Sequence, residues 1–492
     1  LSGGLRAASQ FTNRLMPYRL RHFIVPLDRS IFRKVLYLAL PVIVGNLSRV
    51  LMNVVDVAMV GRLGVNALAA VGMGGVLIWT VFSVGIAFRT SVQTITARRY
   101  GERRWADCGQ ALNNGLIFAV GIGAVVSVVG YLAAETVIEF LIKDPAVIPL
   151  AVIYTQWSFV GAACITVGYA FQGFFNGVEQ TKVHMEVTIA SNLLNVYLNA
   201  GLIFGSENLA SMLARTPLGD LSAFALLWTP FDFPALGVEG AAIATLLASV
   251  WMIVHYAVRG MMGQFKAKYR TFCGGVKRET LEKIVDIATP QGLQEVGVTI
   301  VYILFFKIIA MIGTLEVAAT EVVFTIMTAS FMPGIGFGVA CATLVGKHLG
   351  EKDPQRAAVS MVESVRWSVI FMGSMGILFM TFPATILPFF TNDRQVIEMG
   401  VVALRLLGVI QFFDAVGMTL WFALTGAGNT KFPAVMDMAL AWGVFLPLSY
   451  LSAVKLQLGI MGPWISFGIY IMLYASVIAW KVLKGDWKEI IV

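Results

Sequence analysis

The chain has 492 residues, 58% of them hydrophobic and 13% charged, with a mean hydropathy of +0.79. A soluble protein keeps about a quarter of its residues charged, so this composition excludes a water-covered globule and assigns the chain to a lipid bilayer. The formal net charge of +8 then reports how basic residues are shared among membrane loops, not a surface for nucleic acid.

Residues 1–34 form a basic arm, broken by Pro17 and Pro26, that reads as a cytoplasmic, partly interfacial segment with no cleavable signal peptide. Twelve apolar runs follow, at roughly 35–60, 68–95, 110–134, 146–176, 184–204, 238–258, 285–312, 318–345, 366–390, 400–425, 432–453 and 459–480. Each reaches the ~20 residues that a helix needs to cross a ~30 Å hydrocarbon core. The Pro and Gly inside several runs are tolerated in membrane helices. A basic stretch, 263–284, links two groups of six runs, 35–262 and 285–485, and a short tail closes the chain at 486–492. The outer loop at about 205–236 holds Pro217, Pro230 and Pro234 and reads as irregular.

The two groups are copies. Shifted by 249 positions, Pro41 lands on Pro290, Gly64 on Gly313, Gly85 on Gly334, Gly101-Glu102 on Gly350-Glu351 and Thr181-Lys182 on Thr430-Lys431. The register returns at a shorter offset of 222, with Gly237 on Gly459, because the first copy has the longer loop before its sixth run. An even number of spans per copy makes the repeats parallel, related by an axis along the membrane normal. The expected fold is therefore an all-α polytopic membrane protein. Its twelve transmembrane helices form two pseudo-symmetric six-helix bundles around a central cleft. With alternating spans, 27 of the 36 Lys and Arg lie on the face that carries both termini, which places both termini in the cytoplasm.

Several motifs resemble those of the multidrug and toxic compound extrusion (MATE) family. Asn53-Val54-Val55-Asp56-Val57-Ala58-Met59-Val60-Gly61-Arg62 is similar to that family's first helix. The turns Gly177…Thr181-Lys182 and Gly426…Thr430-Lys431, the close of the fifth run at Ile203-Phe204-Gly205, and the start of the sixth at Gly237–Ala242 resemble it too. The resemblance covers about 30–485. It implies a secondary active antiporter that exports an amphiphilic, cationic drug or metabolite in exchange for H⁺ or Na⁺. It also implies alternating access of two bundles, with no nucleotide hydrolysis. No Gly-x-x-x-x-Gly-Lys-[Ser/Thr] loop is present, in agreement. The expected partners are a small-molecule substrate and the bilayer, without nucleic acid. The coupling ion is the one expected cofactor, the expected state a monomer, and the expected membrane the bacterial inner membrane.

Ionisable residues inside apolar runs are functional candidates, because a buried charge costs several kcal/mol unless it is used or paired. Asp56 in the first run is the leading coupling residue. Asn192, Asn195 and Asn199, three and four apart, share one face of the fifth run. Asn195 is placed to hydrogen-bond Asp56, while Asn199 stands where many prokaryotic members of the family carry an aspartate. The same amides also serve as ordinary interhelical glue. In the second copy Asp414 matches a cation-site aspartate of sodium-coupled members. Val298 stands where such members carry a glutamate, and Glu295, beside Gln294, lies nearly one turn earlier.

Arg49, Arg89, Lys307 and Glu321 complete the candidate cavity. They read either as snorkelling groups and buried pairs, such as Lys307 with Asp414, or as a basic lining for an anionic or zwitterionic substrate. His184, His255 and His348 read as surface groups at span ends. Cys108, Cys164, Cys273 and Cys341 lack metal-ligand spacing, so no metal site is expected. A lipid-linked oligosaccharide flippase is the alternative transporter, disfavoured by twelve spans and by acids in both copies. An intramembrane enzyme would require a His/Asp or Ser/Lys dyad that the sequence lacks.

Overall fold

The computed structural model describes residues 26–213, 226–228 and 230–490. Most of the basic arm and the middle of the long outer loop, with Pro217, lie outside the described residues. All regular structure among the described residues is helical.

The spanning helices, in chain order, begin with α1 (Arg29–Gly61), α2 (Val65–Gly101) and α3 (Trp105–Leu141). Next come α4 (Ile148–Val160 continued by Ala162–Gly177), α5 (Thr181–Phe204) and α6 (Val238–Met261). The second copy holds α7 (Arg278–Ala310), α8 (Thr314–Gly350), α9 (Pro354–Thr381), α10 (Arg394–Gly426), α11 (Lys431–Lys455) and α12 (Met461–Lys484). Ten of these are long and apolar enough to cross a bilayer by themselves. The two pieces of α4, bent by 41° at Gly161, make an eleventh span, and the 37-residue α2 completes twelve. At 1.5 Å per residue α2 is about 55 Å long, so it must extend beyond the hydrocarbon or tilt.

Local chemistry explains where the helices start and bend. Asp28 caps α1, its carboxylate accepting from the Ser30 N–H at 2.7 Å and the Ile31 N–H at 3.3 Å. Asp353 caps α9 ahead of Pro354, and Asp393 caps α10. For that reason α9 begins well before the apolar run at 366–390. Its first turns are polar but still helical, and Glu363 there is buried against Arg366 and the Leu27 N–H. In α11 two π-helical turns, Ala441–Phe445 and Leu451–Lys455, flank Pro447, which cannot donate to the helix behind it.

The repeat seen in the sequence is repeated in the backbone. Arg103 and Lys352, 249 apart, both have positive φ (60° and 59°), as do Glu179 and Gly428 (62° and 95°). Gly237 and Gly459 match at the shorter offset (60° and 58°). The stretch linking the copies is strapped to α3 through Phe272 N–H to Asn113 Oδ1 (2.9 Å), Lys277 N–H to Asn114 Oδ1 (3.1 Å) and Gln110 Nε2 to the Gly275 carbonyl (2.5 Å).

Two lobes meet in a pseudo-symmetric exchange: α1 packs on α8, α7 packs on α2, and α2 crosses α8. The crossing is made by glycine. A Cβ on Gly101 would lie 1.9 Å from the Lys347 carbonyl oxygen, and one on Gly350 would lie 2.2 Å from that of Arg98. Polar contacts cluster at this end, the terminal end, where α1 begins and α12 closes. Gln93 donates to the Val339 carbonyl and to Thr343 Oγ1, both at 2.9 Å, and Thr94 donates to the Thr425 carbonyl at 3.0 Å. Glu179 accepts from Lys34 (2.7 Å) and, across the interface, from Lys347 (3.1 Å). The lobes are thus clamped at the terminal end.

Gly350→Ala should force the crossing apart at a cost of about 1–3 kcal/mol, the usual penalty of overpacking. Gly72→Ala, at a position with open space around it, is the control. Thermal unfolding of the purified protein should show a drop for the first variant and none for the second. An unchanged midpoint for Gly350→Ala would refute the close crossing.

Candidate functional site

In the first lobe α1 and α5 run side by side and are joined by a polar ladder. Asn192 Nδ2 donates to Ser48 Oγ at 2.8 Å, and two turns further on Asn199 Nδ2 donates to Asp56 Oδ1 at 2.6 Å. Asn199 also donates to Asn195 Oδ1 at 2.9 Å, and Asn195 Nδ2 reaches Thr245 Oγ1 of α6 at 3.3 Å. The three asparagines therefore share one face, as their spacing requires. The expected partner of Asp56 is corrected: Asn199 holds it, because Asn199 is level with Asp56 while Asn195 is turned toward α6. Asn199 Oδ1 is buried and has no partner. Among the described residues Asp56 makes no ion pair, and its side-chain partner is Asn199.

A second polar group lies nearer the terminal end. Arg49 donates to the Tyr169 hydroxyl at 3.4 Å and lies 6.0 Å from that ring's centroid, so it turns toward α4 and away from Asp56. Arg89 on α2 is buried, with Nε unpartnered. Behind them His184 is buried between Gln172 Nε2 (2.9 Å), the Tyr256 hydroxyl (2.6 Å) and Thr188 Oγ1 (3.3 Å). His348 is buried as well, 3.0 Å from Ser360 Oγ. The surface reading fails for both histidines, because lobe packing covers span ends that a hydropathy profile leaves open.

The second lobe gathers three carboxylates. Asp437 of α11 accepts from Gln294 Nε2 at 2.6 Å and from the Tyr470 hydroxyl in a short bond. Glu295 and Asp414 both lie within electrostatic reach of Asp437, and Tyr302 and Tyr474 sit among all three acids. Unpartnered buried atoms crowd here: Asp414 Oδ2, Gln294 Oε1, both amide atoms of Gln291, and the Tyr474 hydroxyl. Among the described residues no three acidic, His or Cys side chains converge closely enough to hold a metal ion.

Sequence reasoning missed Asp437, although the rule that selected Asp414 applies equally to an acid inside the eleventh run. Tyr470, Tyr474, Gln291 and the His184 network carried no comparable signal, since their importance comes from what faces them. Lys307 and Glu321 do not join the cluster. Lys307 is exposed in the last turn of α7 and makes no pair with Asp414. Twelve residues of helix rotate it about 120° away from Glu295. Glu321 is exposed near the start of α8. The lobes face each other where α2 packs on α7, the helices that carry Arg89 and Glu295.

A family model, MatE, matches residues 41–200 and 290–451, one match in each copy. The chain belongs to the MatE family. Its relatives include a probable multidrug resistance protein NorM of Thermotoga maritima, 25% identical over 465 residues, with 94% of each chain covered. The fold matches an outward-facing multidrug resistance MATE transporter of the MOP superfamily, with a TM-score of 0.82 at 19% identity over 94% of this chain and 97% of that one. It also matches a MOP superfamily transporter from Pyrococcus furiosus, with a TM-score of 0.81 at 20% identity over 93% and 97%. This MatE protein is thus an integral membrane protein and a secondary transporter, not an enzyme.

Tyr470→Phe removes a hydrogen bond to a buried carboxylate, a loss of about 1.5–3 kcal/mol. Tyr474→Phe, whose hydroxyl has no partner, should cost less. Thermal unfolding in one detergent should rank the two in that order. Equal drops would show that Asp437 does not depend on Tyr470.

Proposed function

We propose that this transporter is a multidrug antiporter of the bacterial inner membrane, exporting amphiphiles with a cationic group in exchange for protons. The reading is supported by relatives named as multidrug resistance proteins and by a charge bias of the kind that goes with cytoplasmic termini. One observation carries the choice of ion: Asp56 is held by a single neutral amide, that of Asn199. A sodium ion requires several converging oxygens, whereas one carboxylate suffices for a proton. When Asp56 is protonated it becomes a donor. Rotation of the Asn199 amide then brings its unpartnered Oδ1 to accept that proton, which re-sorts the α1–α5–α6 ladder.

The acids of the second lobe supply the counter-charge for the cationic group. Opening toward the cytoplasm breaks the terminal clamp, including the Lys347–Glu179 pair, and the outward-open and inward-open states exchange around the fixed cleft. The protein works as a monomer in this scheme, because both lobes lie in one chain.

Efflux of ethidium from proteoliposomes under an imposed pH gradient, and separately under a sodium gradient, tests this directly. The pH gradient alone should drive transport in the wild type. Asp56→Asn should abolish that drive while ethidium binding persists. Drive by sodium alone would move the coupling to Asp414 and Glu295 and reject the proton reading. Normal pH-driven efflux by Asp56→Asn would remove Asp56 from the mechanism.

A further inference from the structure

The repeat copies the fold but not the charge. Arg89 of the first lobe corresponds at the 249 offset to Gly338, Arg49 to Val298, and Glu295 of the second lobe to Asn46. At the level where the lobes meet, the first lobe therefore carries two guanidinium groups and the second three carboxylates.

Among the described residues neither set has an ion pair within its own lobe. The groups around Arg89 are the Tyr169 hydroxyl, which is neutral, Arg49, a like charge, and Glu295 from across the interface. Those acting on Glu295 are Asp437, again a like charge, and Arg89. Asp437 is bonded by the neutral Gln294 and Tyr470. No ion pair joins Arg89 to Glu295 among the described residues, although the lobes touch beside them. A Cβ on Gly292, three residues before Glu295, would lie 3.8 Å from the Ala87 Cβ, two residues before Arg89.

Hydrogen-bonding capacity is left open on both sides. Arg89 Nε on one side, and Gln291, Gln294 Oε1 and Asp414 Oδ2 on the other, are buried without partners. Gln291 is 1% exposed and lies one turn before Glu295 on the same face of α7. Buried like charges left uncompensated are strongly unfavourable, and a ligand that supplies the missing charge removes that cost. A pure cation compensates the acids and leaves two guanidiniums facing each other. A pure anion does the reverse.

We propose that the preferred substrate is a zwitterionic amphiphile. Its carboxylate is received by Arg89 and Arg49 of the first lobe and its ammonium by Glu295 and Asp414 of the second. The inference rests on the exporter reading for the place of the site, but not on which ion drives transport. A ligand held this way spans both lobes and must be released by at least one of them when the lobes part, so its binding senses the separation that alternating access requires.

The test is equilibrium binding to the purified full-length protein without any gradient, read by the fluorescence of three dansyl probes on one skeleton. Nε-dansyl-lysine is the zwitterion, its methyl ester the cation and its Nα-acetyl derivative the anion. The zwitterion should bind at least about tenfold tighter than either relative, the scale of one lost charged hydrogen bond. Arg89→Gln should erase the preference for the zwitterion over the ester while retaining ester binding, which also reports that the variant is folded. Glu295→Gln should erase the preference over the acetyl derivative and retain binding of the anion. Equal or tighter binding of the ester by the wild type, or an unchanged ratio in both variants, overturns the proposal. Binding without a gradient is indifferent to coupling, so failure here and failure of proton drive are separately visible.

Discussion

Two helices cross at the pseudo-twofold axis with backbone against backbone at two matched glycines. Gly101 of α2 lies against the Lys347 carbonyl, and Gly350 of α8 against that of Arg98. Backbones that approach this closely set the distance between the lobes at the terminal end. The contacts of Gln93, Thr94, Thr343 and Glu179 follow from it. In a bilayer, where lipid is as apolar as the helices, close packing and hydrogen bonding hold helices together. The small residues at this crossing are therefore where two largely independent bundles become one molecule.

Repetition and asymmetry serve different ends in this chain. The repeat supplies matched helices, matched left-handed turns and a pseudo-twofold axis between the lobes. The polar residues break it. Asp56 and its asparagine ladder have no equivalent in the second lobe, and the Glu295, Asp414 and Asp437 cluster has none in the first. Each lobe therefore has its own chemistry, while the crossing between them remains symmetric.

The buried polar groups also divide by how completely they are bonded. The His184 network and the Asn192–Ser48 bond are satisfied within their lobe and read as structural, since paired polar groups lock helices into one arrangement. Arg89, Gln291, Gln294, Asp414 and Asn199 retain free donors or acceptors. Unsatisfied buried groups are costly; of these five, Asn199 lies on the α1–α5 ladder, Arg89 and Gln291 on helices that meet between the lobes, and Gln294 and Asp414 beside the second lobe's acids.

The amino-acid sequence by itself determined the membrane class, the twelve spans, the repeat and its offset, and the candidacy of Asp56, Asn199, Glu295 and Asp414. Those are properties of hydropathy and spacing along a single helix, and a bilayer reads them directly. It left Asp437 in plain view, an acid in an apolar run. What only the tertiary structure decided is which polar groups meet: Asn199 rather than Asn195 on Asp56, Tyr470 and Gln294 on Asp437, Arg89 opposite Glu295, and Lys307 turned away. Helical periodicity gives the face on which a residue lies but not the helix that this face will meet. Partners hundreds of positions apart are chosen by packing, and here packing is set by the crossing of α2 and α8.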